Sequence, residues 1–307
     1  MEILYFFEKL RMPVLNELML LITRFGEETA LLVIALIVFW CIDKRQGYYI
    51  LGVGLLGTMA NQVLKLLCRV PRPWVLDKNF TILEEAREAA TGYSFPSGHT
   101  QTAVGTFGAL AVTTKQKVVR TICIVIAVLV PISRMYVGVH TLLDVTVGAV
   151  MALALVFLLK KVVYGNAGKY IPVMLAAMVG ISVAFLLFAE LWPFPANMDA
   201  ANLASGLKNA YTMIGCTVGL LLCYALDKKY IKFSVKAVWW VQILKVVLGL
   251  AVVLLVKEGL RSPLDALFAG HLAARAVRYF LIVVVAGVLW PLSFRKLARL
   301  GNRKKGE

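Results

Sequence analysis

The chain has 307 residues, of which 60% are hydrophobic, and its mean hydropathy is +0.80. A soluble domain carries about 45–50% apolar residues, so this composition excludes an ordinary soluble protein and indicates a polytopic membrane protein. The net charge of +16 does not indicate a nucleic-acid-binding protein, because most Lys and Arg residues lie in short clusters between apolar runs. The five cysteines lie within or at the ends of apolar runs and lack the paired spacing of zinc ligands, so we expect small buried apolar side chains.

The N-terminal segment, residues 1–27, mixes charged residues with Leu and Phe and is interrupted by Pro13. This mixture predicts an amphipathic helix at the membrane interface and is unlike a cleavable signal peptide. Apolar runs follow, and a helix needs about 20 residues to cross the hydrocarbon layer. The sequence predicts nine spans, near residues 28–43, 48–67, 99–114, 118–137, 140–159, 171–191, 207–226, 237–256 and 276–294.

Alternate connections between these spans differ in their basic residues, which predicts the orientation of the chain. Lys and Arg are frequent in short cytoplasmic loops of membrane proteins. The connection 192–206 has neither and is expected outside. Nine spans then place the N-terminus outside and the C-terminus in the cytoplasm, with the protein in the plasma (inner) membrane. The basic segments expected in the cytoplasm are 44–45, 115–120, 160–169, 228–236 and the tail 295–305.

Three polar patches emerge on the outer face by this span order, and their cations break the charge rule. They are "KLLCRVPRP" (65–73), "PSGH" (96–99) and "SRMYVGVHTLLD" (133–144). A single cation at a membrane interface can extend to lipid headgroups, and a single intramembrane histidine can serve packing alone. Several ionisable residues grouped on one face favour a functional site.

The residue types in these patches predict a phosphate site. Lys65 offers a point charge, whereas Arg72 and Arg134 offer planar guanidinium groups suited to phosphate oxygens. Ser97 and Gly98 stand just ahead of the third span, where free backbone N–H groups also favour an anion. No acidic cluster in the sequence resembles a metal site, so these cations would have to neutralise a transferred phosphoryl group.

Two histidines in the patches differ in their surroundings. His140 and Asp144 are four residues apart and share one face of a helix. The carboxylate can accept a proton from one imidazole nitrogen and leave the other as a lone pair, which suits a nucleophile or base. His99, at a helix start, is left for the role of proton donor.

The order and spacing of these residues resemble the three-part signature of the type-2 phosphatidic acid phosphatase superfamily. The similarity covers roughly residues 15–190, the six-helix catalytic unit of the membrane members of that family. It implies an all-α polytopic membrane protein with an N-terminal interfacial helix at 1–27, a six-helix phosphatase core at 28–192 and about three additional transmembrane helices at 193–307. The matching residues are Lys65, Arg72, Pro73, Pro96, Ser97, Gly98, His99, Ser133, Arg134, His140 and Asp144.

The resemblance also implies roles. His140 would attack phosphorus and form a phosphohistidine, Asp144 would hold and polarise it, and His99 would protonate the leaving oxygen. No metal or other cofactor is implied. The residues expected to bind the phosphate are Lys65, Arg72, Ser97, Gly98 and Arg134, and those expected to support them are Arg69, Pro73, Pro96 and Ser133.

The last third of the chain goes beyond a six-helix unit. It includes a basic stretch at 257–278, "KEGLRSPLDALFAGHLAARAVR", which contains His271. This stretch lines a substrate entrance or binds a second anionic group in one interpretation. In the other it serves packing and interfacial anchoring. The sequence leaves both open.

The function that these observations favour is that of a membrane lipid phosphate or diphosphate phosphatase with its site on the outer face. The lipid chain would stay in the bilayer, and the candidate substrates are an isoprenoid diphosphate such as undecaprenyl diphosphate or phosphatidate-type lipids. A lipid phosphotransferase using the same site is one alternative. A lipid transporter or sensor on the same fold is another alternative. A pure transporter, however, has no need for a histidine beside a carboxylate.

Overall fold

The computed structural model describes the backbone of residues 1–303 and the side chains of residues 1–165 and 168–299. Within this part of the chain there are helices, turns and no strand, which confirms the predicted all-α class. Residues 304–307, which end the predicted extension and its basic tail, lie outside it. The helices are α1 (Glu2–Lys9), α2 (Pro13–Arg24), α3 (Glu28–Cys41), α4 (Lys44–Cys68), α5 (Pro73–Leu76), α6 (Gly98–Thr113), α7 (Lys117–Tyr136), α8 (Leu142–Tyr164), α9 (Ile171–Leu191), α10 (Ala200–Leu226), α11 (Trp239–Gly259), α12 (Arg261–Leu267), α13 (Ala273–Val284), α14 (Trp290–Leu292) and α15 (Phe294–Arg303).

The described helices confirm a polytopic membrane protein. Among them, seven segments are long and apolar enough to span a membrane, and they contain α4, α7, α8, α9, α10, α11 and α13. The 14-residue helix α3 is apolar but shorter. The 16-residue helix α6 is the remaining predicted span, and most of its residues are buried because α7 and α8 pack against it. Its small and polar residues therefore face protein instead of lipid.

The N-terminal segment forms two helices, because Pro13 begins α2 as its first residue. Both pack on α7. Leu4 of α1 joins a buried cluster with Phe80, Met135 and Val145, which come from the loop before α6 and from α7 and α8. The N-terminal helices are thereby fixed to the loop that carries part of the predicted site.

The chain divides into two compact units. The first contains Met1–Leu32, Tyr49–Tyr164 and Leu191–Gly206, and the second contains Val33–Tyr48, Gly165–Glu190 and the described residues from Leu207 onward. The predicted three-part division, with boundaries at 27/28 and 192/193, stays a prediction.

An ion pair fastens the second unit internally. Lys44 lies 2.7 Å from the Asp227 carboxylate and 3.6 Å from the centre of the Phe233 ring. The same carboxylate accepts a hydrogen bond from the Phe233 amide. The start of α4 is thereby held to the end of α10.

Candidate active site

The turn before α6 is tied directly to α8. Ser97 caps α6 by accepting a hydrogen bond from the Thr100 amide, and its own amide donates to the Asp144 carbonyl at 3.0 Å. Gly148 makes this approach possible, because a Cβ at that position would lie 2.8 Å from the Ser97 carbonyl oxygen. The start of α6, which carries His99, and the helix that carries Asp144 therefore have a fixed relative position.

A capping box sets the start of α8. The Thr141 amide donates to Asp144 Oδ2 at 2.7 Å, and the Asp144 amide donates to Thr141 Oγ1 at 3.3 Å. The helix consequently begins at Leu142, close to the predicted span start near residue 140. His140 lies just outside the helix. Its Nδ1 is nevertheless 3.5 Å from Asp144 Oδ2, as the spacing of the two residues predicted.

The contacts of His140 determine its tautomer. Nε2 lies 2.9 Å from Arg72 Nη1. A guanidinium has donors only, so Nε2 must accept, and the ring proton is on Nδ1, facing Asp144. Burial, reinforced by Arg72, Arg134 and Lys65, holds the pKa of His140 well below its ordinary value. The ring is therefore neutral, with a lone pair on Nε2.

Two of the predicted phosphate ligands hold the loop before α6. Arg72 donates to the carbonyls of Thr91 at 2.8 Å and Gly92 at 3.1 Å, and Lys65 donates to the carbonyl of Tyr93. Both cations are buried. They close one side of the site and hold donors next to His140.

Arg134 reaches the site from α7 and is fully buried. Its Nη1 donates to Thr23 of α2 at 2.8 Å, whereas its Nε and Nη2, like Nε2 of His99, have no hydrogen-bond partner among the described residues. Buried polar groups in proteins are nearly always paired, so these atoms call for a polar ligand. Arg134, Arg72, Lys65 and His140 lie close enough to His99 for their charges to affect it.

The charge of this cluster favours an anion. Lys65, Arg72 and Arg134 are three cations, and Asp144 is the carboxylate that contacts His140. Unbalanced buried charge is costly. A phosphate group carries the opposite charge and oxygens that accept from guanidinium groups in pairs, so it fits the cluster.

The residues expected to support the site occupy different positions. Pro73 is buried as the first residue of α5, and the Pro96 carbonyl accepts a hydrogen bond from Asn61 Nδ2 at 3.2 Å. Ser133 is fully buried and donates to the Val130 carbonyl of its own helix.

Arg69 follows the end of α4 in a left-handed backbone conformation, with φ at 49°. Its amide closes that helix by donating to the Lys65 carbonyl at 3.0 Å. Within the described chain, its side chain makes no hydrogen bond or ion pair with the cluster, so the structure does not join Arg69 to the residues around His140.

Three further residues, which the sequence did not single out, hold the cluster. Ser94 is fully buried and donates to Asp144 Oδ2 at 2.6 Å. Thr23 binds Arg134, and Asn61 lies one helical turn before Lys65 and holds the turn at Pro96. Ser94 could have been suspected from the sequence, because it lies only two residues before that turn. Thr23 comes from a distant helix, and nothing in its local sequence marks it.

The basic stretch 257–278 belongs to the second unit, whereas the residues around His140 belong to the first. His271 Nδ1 accepts a hydrogen bond from the Ala273 amide at 3.1 Å, and Arg275 donates to Thr212 of α10 at 2.8 Å. These contacts support helix capping and packing for these two residues.

Comparison with known proteins places both parts of the chain. The model of the PAP2 superfamily matches residues 46–168, and the model described as the transmembrane extension of PAP2 superfamily phosphatases matches residues 211–303. No solved structure matches the chain. The first match contains α6, α7 and α8 with the cluster around His140.

Named relatives align over about half of the chain. Phosphatidylglycerophosphatase B of Bacillus subtilis is 34% identical over 164 residues, 49% of this chain and 76% of the relative. The undecaprenyl-diphosphatase of Sulfolobus acidocaldarius is 32% identical over 164 residues, 53% of this chain and 78% of the relative. Undecaprenyl-diphosphatase BcrC of Bacillus subtilis is 29% identical over 147 residues, 47% of this chain and 73% of the relative. With two family models matching successive parts of a multi-span chain, this protein belongs to the PAP2 superfamily and is a membrane lipid phosphatase.

Proposed function

We propose that the site removes a phosphate group from a lipid phosphate or diphosphate through a phosphohistidine on His140, without a metal ion. The observation that carries this proposal is the neutral His140, with its Nε2 lone pair beside Arg72 and its Nδ1 facing Asp144. A nucleophile oriented by a carboxylate next to cations is the arrangement that phosphoryl transfer to a side chain requires.

In the first step, Arg72 and Arg134 bind the phosphate oxygens together with Lys65 and the backbone amide of Gly98, while the Ser97 amide stays bonded to the Asp144 carbonyl and holds this turn in place. The His140 Nε2 lone pair gives up its hydrogen bond from Arg72 and forms a bond to phosphorus, and the bond between phosphorus and the lipid oxygen breaks. The departing oxygen takes a proton from His99, which enters this step as the protonated, cationic imidazolium and leaves it neutral. Asp144 balances the positive charge that develops on the His140 ring.

In the second step, a water molecule attacks phosphorus and gives its proton to His99. The bond between phosphorus and His140 Nε2 breaks, and its electron pair returns to the nitrogen. Inorganic phosphate leaves, and both histidines regain their starting protonation states. The same two residues therefore serve both steps with reversed proton transfer at His99.

The substrate class follows from the membrane setting and from the relatives. We propose a lipid whose chain stays in the bilayer while its phosphate enters the buried cluster. Relatives of this chain are named for phosphatidylglycerophosphate and undecaprenyl diphosphate, so an isoprenoid diphosphate or a phosphatidate-type lipid is the substrate that we propose here.

Purified protein tests this function by release of inorganic phosphate from a panel of these lipids. We expect turnover to be unchanged by EDTA, because protein cations neutralise the phosphate, and to be blocked by vanadate, which mimics pentacoordinate phosphorus. A strict requirement for added magnesium would contradict the metal-free mechanism. Appearance of a newly phosphorylated lipid in place of free phosphate would indicate a phosphotransferase.

We further propose that the site opens on the outer face of the plasma membrane, as the distribution of basic residues indicates. Cys68, the exposed last residue of α4, lies at the end of the span that carries Lys65. In intact cells, we expect an impermeant maleimide to label Cys68. The control is Lys228→Cys in a Cys68→Ala background, which should be labelled only after the cells are opened. The reverse pattern would exclude the proposed orientation.

A further inference from the structure

A groove of about 810 Å³ runs along α6, α7 and α8 within the first unit. Most of the side chains that line it are aliphatic, and several of them, including Val128 and Val150, are more than half exposed. In a membrane protein such a surface faces lipid chains. Two lining residues, Arg120 and Lys160, are cations, and no Asp or Glu lines the groove.

The two cations lie at the end of the groove that is remote from the candidate active site. Arg120 is in the first turn of α7, whereas Arg134 is in its last turn, and the 20 residues of this helix span about 30 Å. Lys160 is likewise near the end of α8, which begins beside His140. The groove is therefore apolar along its length, and its basic end lies at the membrane face opposite the candidate active site.

Contacts with the end of α6 fix the positions of both cations. Arg120 donates to the Thr114 carbonyl at 2.8 Å, and Lys160 donates to the Val112 carbonyl at 3.0 Å. A guanidinium and an ammonium each carry several donors, so both side chains keep N–H groups for a further acceptor. Basic pockets between transmembrane helices are a recurrent site for anionic lipid headgroups.

We propose that this groove binds an anionic phospholipid from the leaflet that faces away from the active site. Its phosphate contacts Arg120 and Lys160, and an acyl chain lies along α7 and α8 toward Ala149. Charge complementarity selects an anionic headgroup. The distance excludes the substrate as this lipid, since a phosphate at this rim is about 20–27 Å along α7 and α8 from the residues around His140.

Native mass spectrometry of the purified protein with phosphatidylglycerol, and with phosphatidylcholine of the same chains, tests this site. We expect Arg120→Gln with Lys160→Gln to weaken phosphatidylglycerol binding about 25-fold, from the effect of two basic residues near a membrane surface. The matched control is Lys117→Gln with Lys161→Gln, which removes the same charge from exposed positions of the same helices outside the groove. Because Lys117 and Lys161 do not line the groove, this control should lose clearly less affinity than the cation variant.

A second variant keeps the test independent of the two hydrogen bonds that the first variant removes. Ala149→Phe fills the groove and leaves both cations in place, and we expect it to weaken phosphatidylglycerol binding as well. Unchanged binding in both variants would overturn the proposal, as would equal affinity for the two lipids.

Two other occupants of the groove have distinct signatures in the same experiments. A dimer without bound lipid in the native spectrum would show that a second copy of the chain covers the groove. A raised KM for lipid phosphate in Ala149→Phe, with unchanged phosphatidylglycerol binding in the cation variant, would show that the substrate chain lies there. Either result would overturn the proposal without contradicting phosphatase activity.

Discussion

Replacing His140 with alanine should reduce kcat on the order of 10⁴-fold or to the background rate, because it removes the nucleophile of the proposed mechanism. We expect no covalent phosphoenzyme in this variant. The measurement is a rapid-mixing experiment with ³²P-labelled lipid phosphate, quenched in alkali because phosphohistidine is unstable in acid. The loss should be the same for every leaving group.

His99→Ala provides the contrast. Loss of the proton donor should lower kcat for phosphatidate by about 10²- to 10⁴-fold, because the alkoxide leaving group needs a proton. The loss should be much smaller with p-nitrophenyl phosphate, whose leaving group departs as the anion. A phosphoenzyme that forms in His140→Ala and vanishes in His99→Ala would reverse the two roles.

Asp144→Asn should lower kcat on the order of 10³-fold, by analogy with the loss of the orienting carboxylate in other triads. Asp144 Oδ2 accepts hydrogen bonds from Ser94 and from the Thr141 amide. An asparagine carbonyl can retain both bonds, so α8 should start at the same residue. What the variant loses is the negative charge that balances the phosphorylated His140. The measurement is kcat together with the melting temperature.

Ser94→Ala is the matched control, because it removes one hydrogen bond to the same oxygen and keeps the charge. A hydrogen bond to a charged group contributes about 1.5–3 kcal/mol, so a loss of about 10- to 100-fold is the upper range for this variant. If Asp144→Asn retained more activity than Ser94→Ala, the charge of Asp144 would not be what the mechanism needs.

The membrane spans and the cluster of cations could both be predicted from the sequence, because both depend on how residues are placed relative to the bilayer. Hydrophobic runs report directly on the bilayer, and the cations at 65, 72 and 134 stood out because they broke the charge pattern on one face. In the structure Arg72 contacts His140, and the charges of Arg134 and Lys65 act on the same ring. Their chemical roles stay predictions.

Contacts between residues far apart in the chain could not be predicted from the sequence. Thr23 binds Arg134 across 111 positions of the chain, and the packing that joins them has no local signature. The start of α8 was predictable in principle, because Thr141 and Asp144 have the spacing of a capping box. The hydrophobic run masked that signal, since apolarity alone does not distinguish a loop residue at the interface from a helix residue.

The hydrogen bond between Thr23 and Arg134 shows that the candidate active site extends beyond the segment that the family model matches. The family match begins at residue 46, yet α2 supplies the hydroxyl that holds a buried guanidinium of the cluster. Residues ahead of the match are therefore part of the wall of the candidate active site. The shortest protein that keeps the site whole must start well before residue 23, and a comparison limited to the matched segment would miss one of its walls.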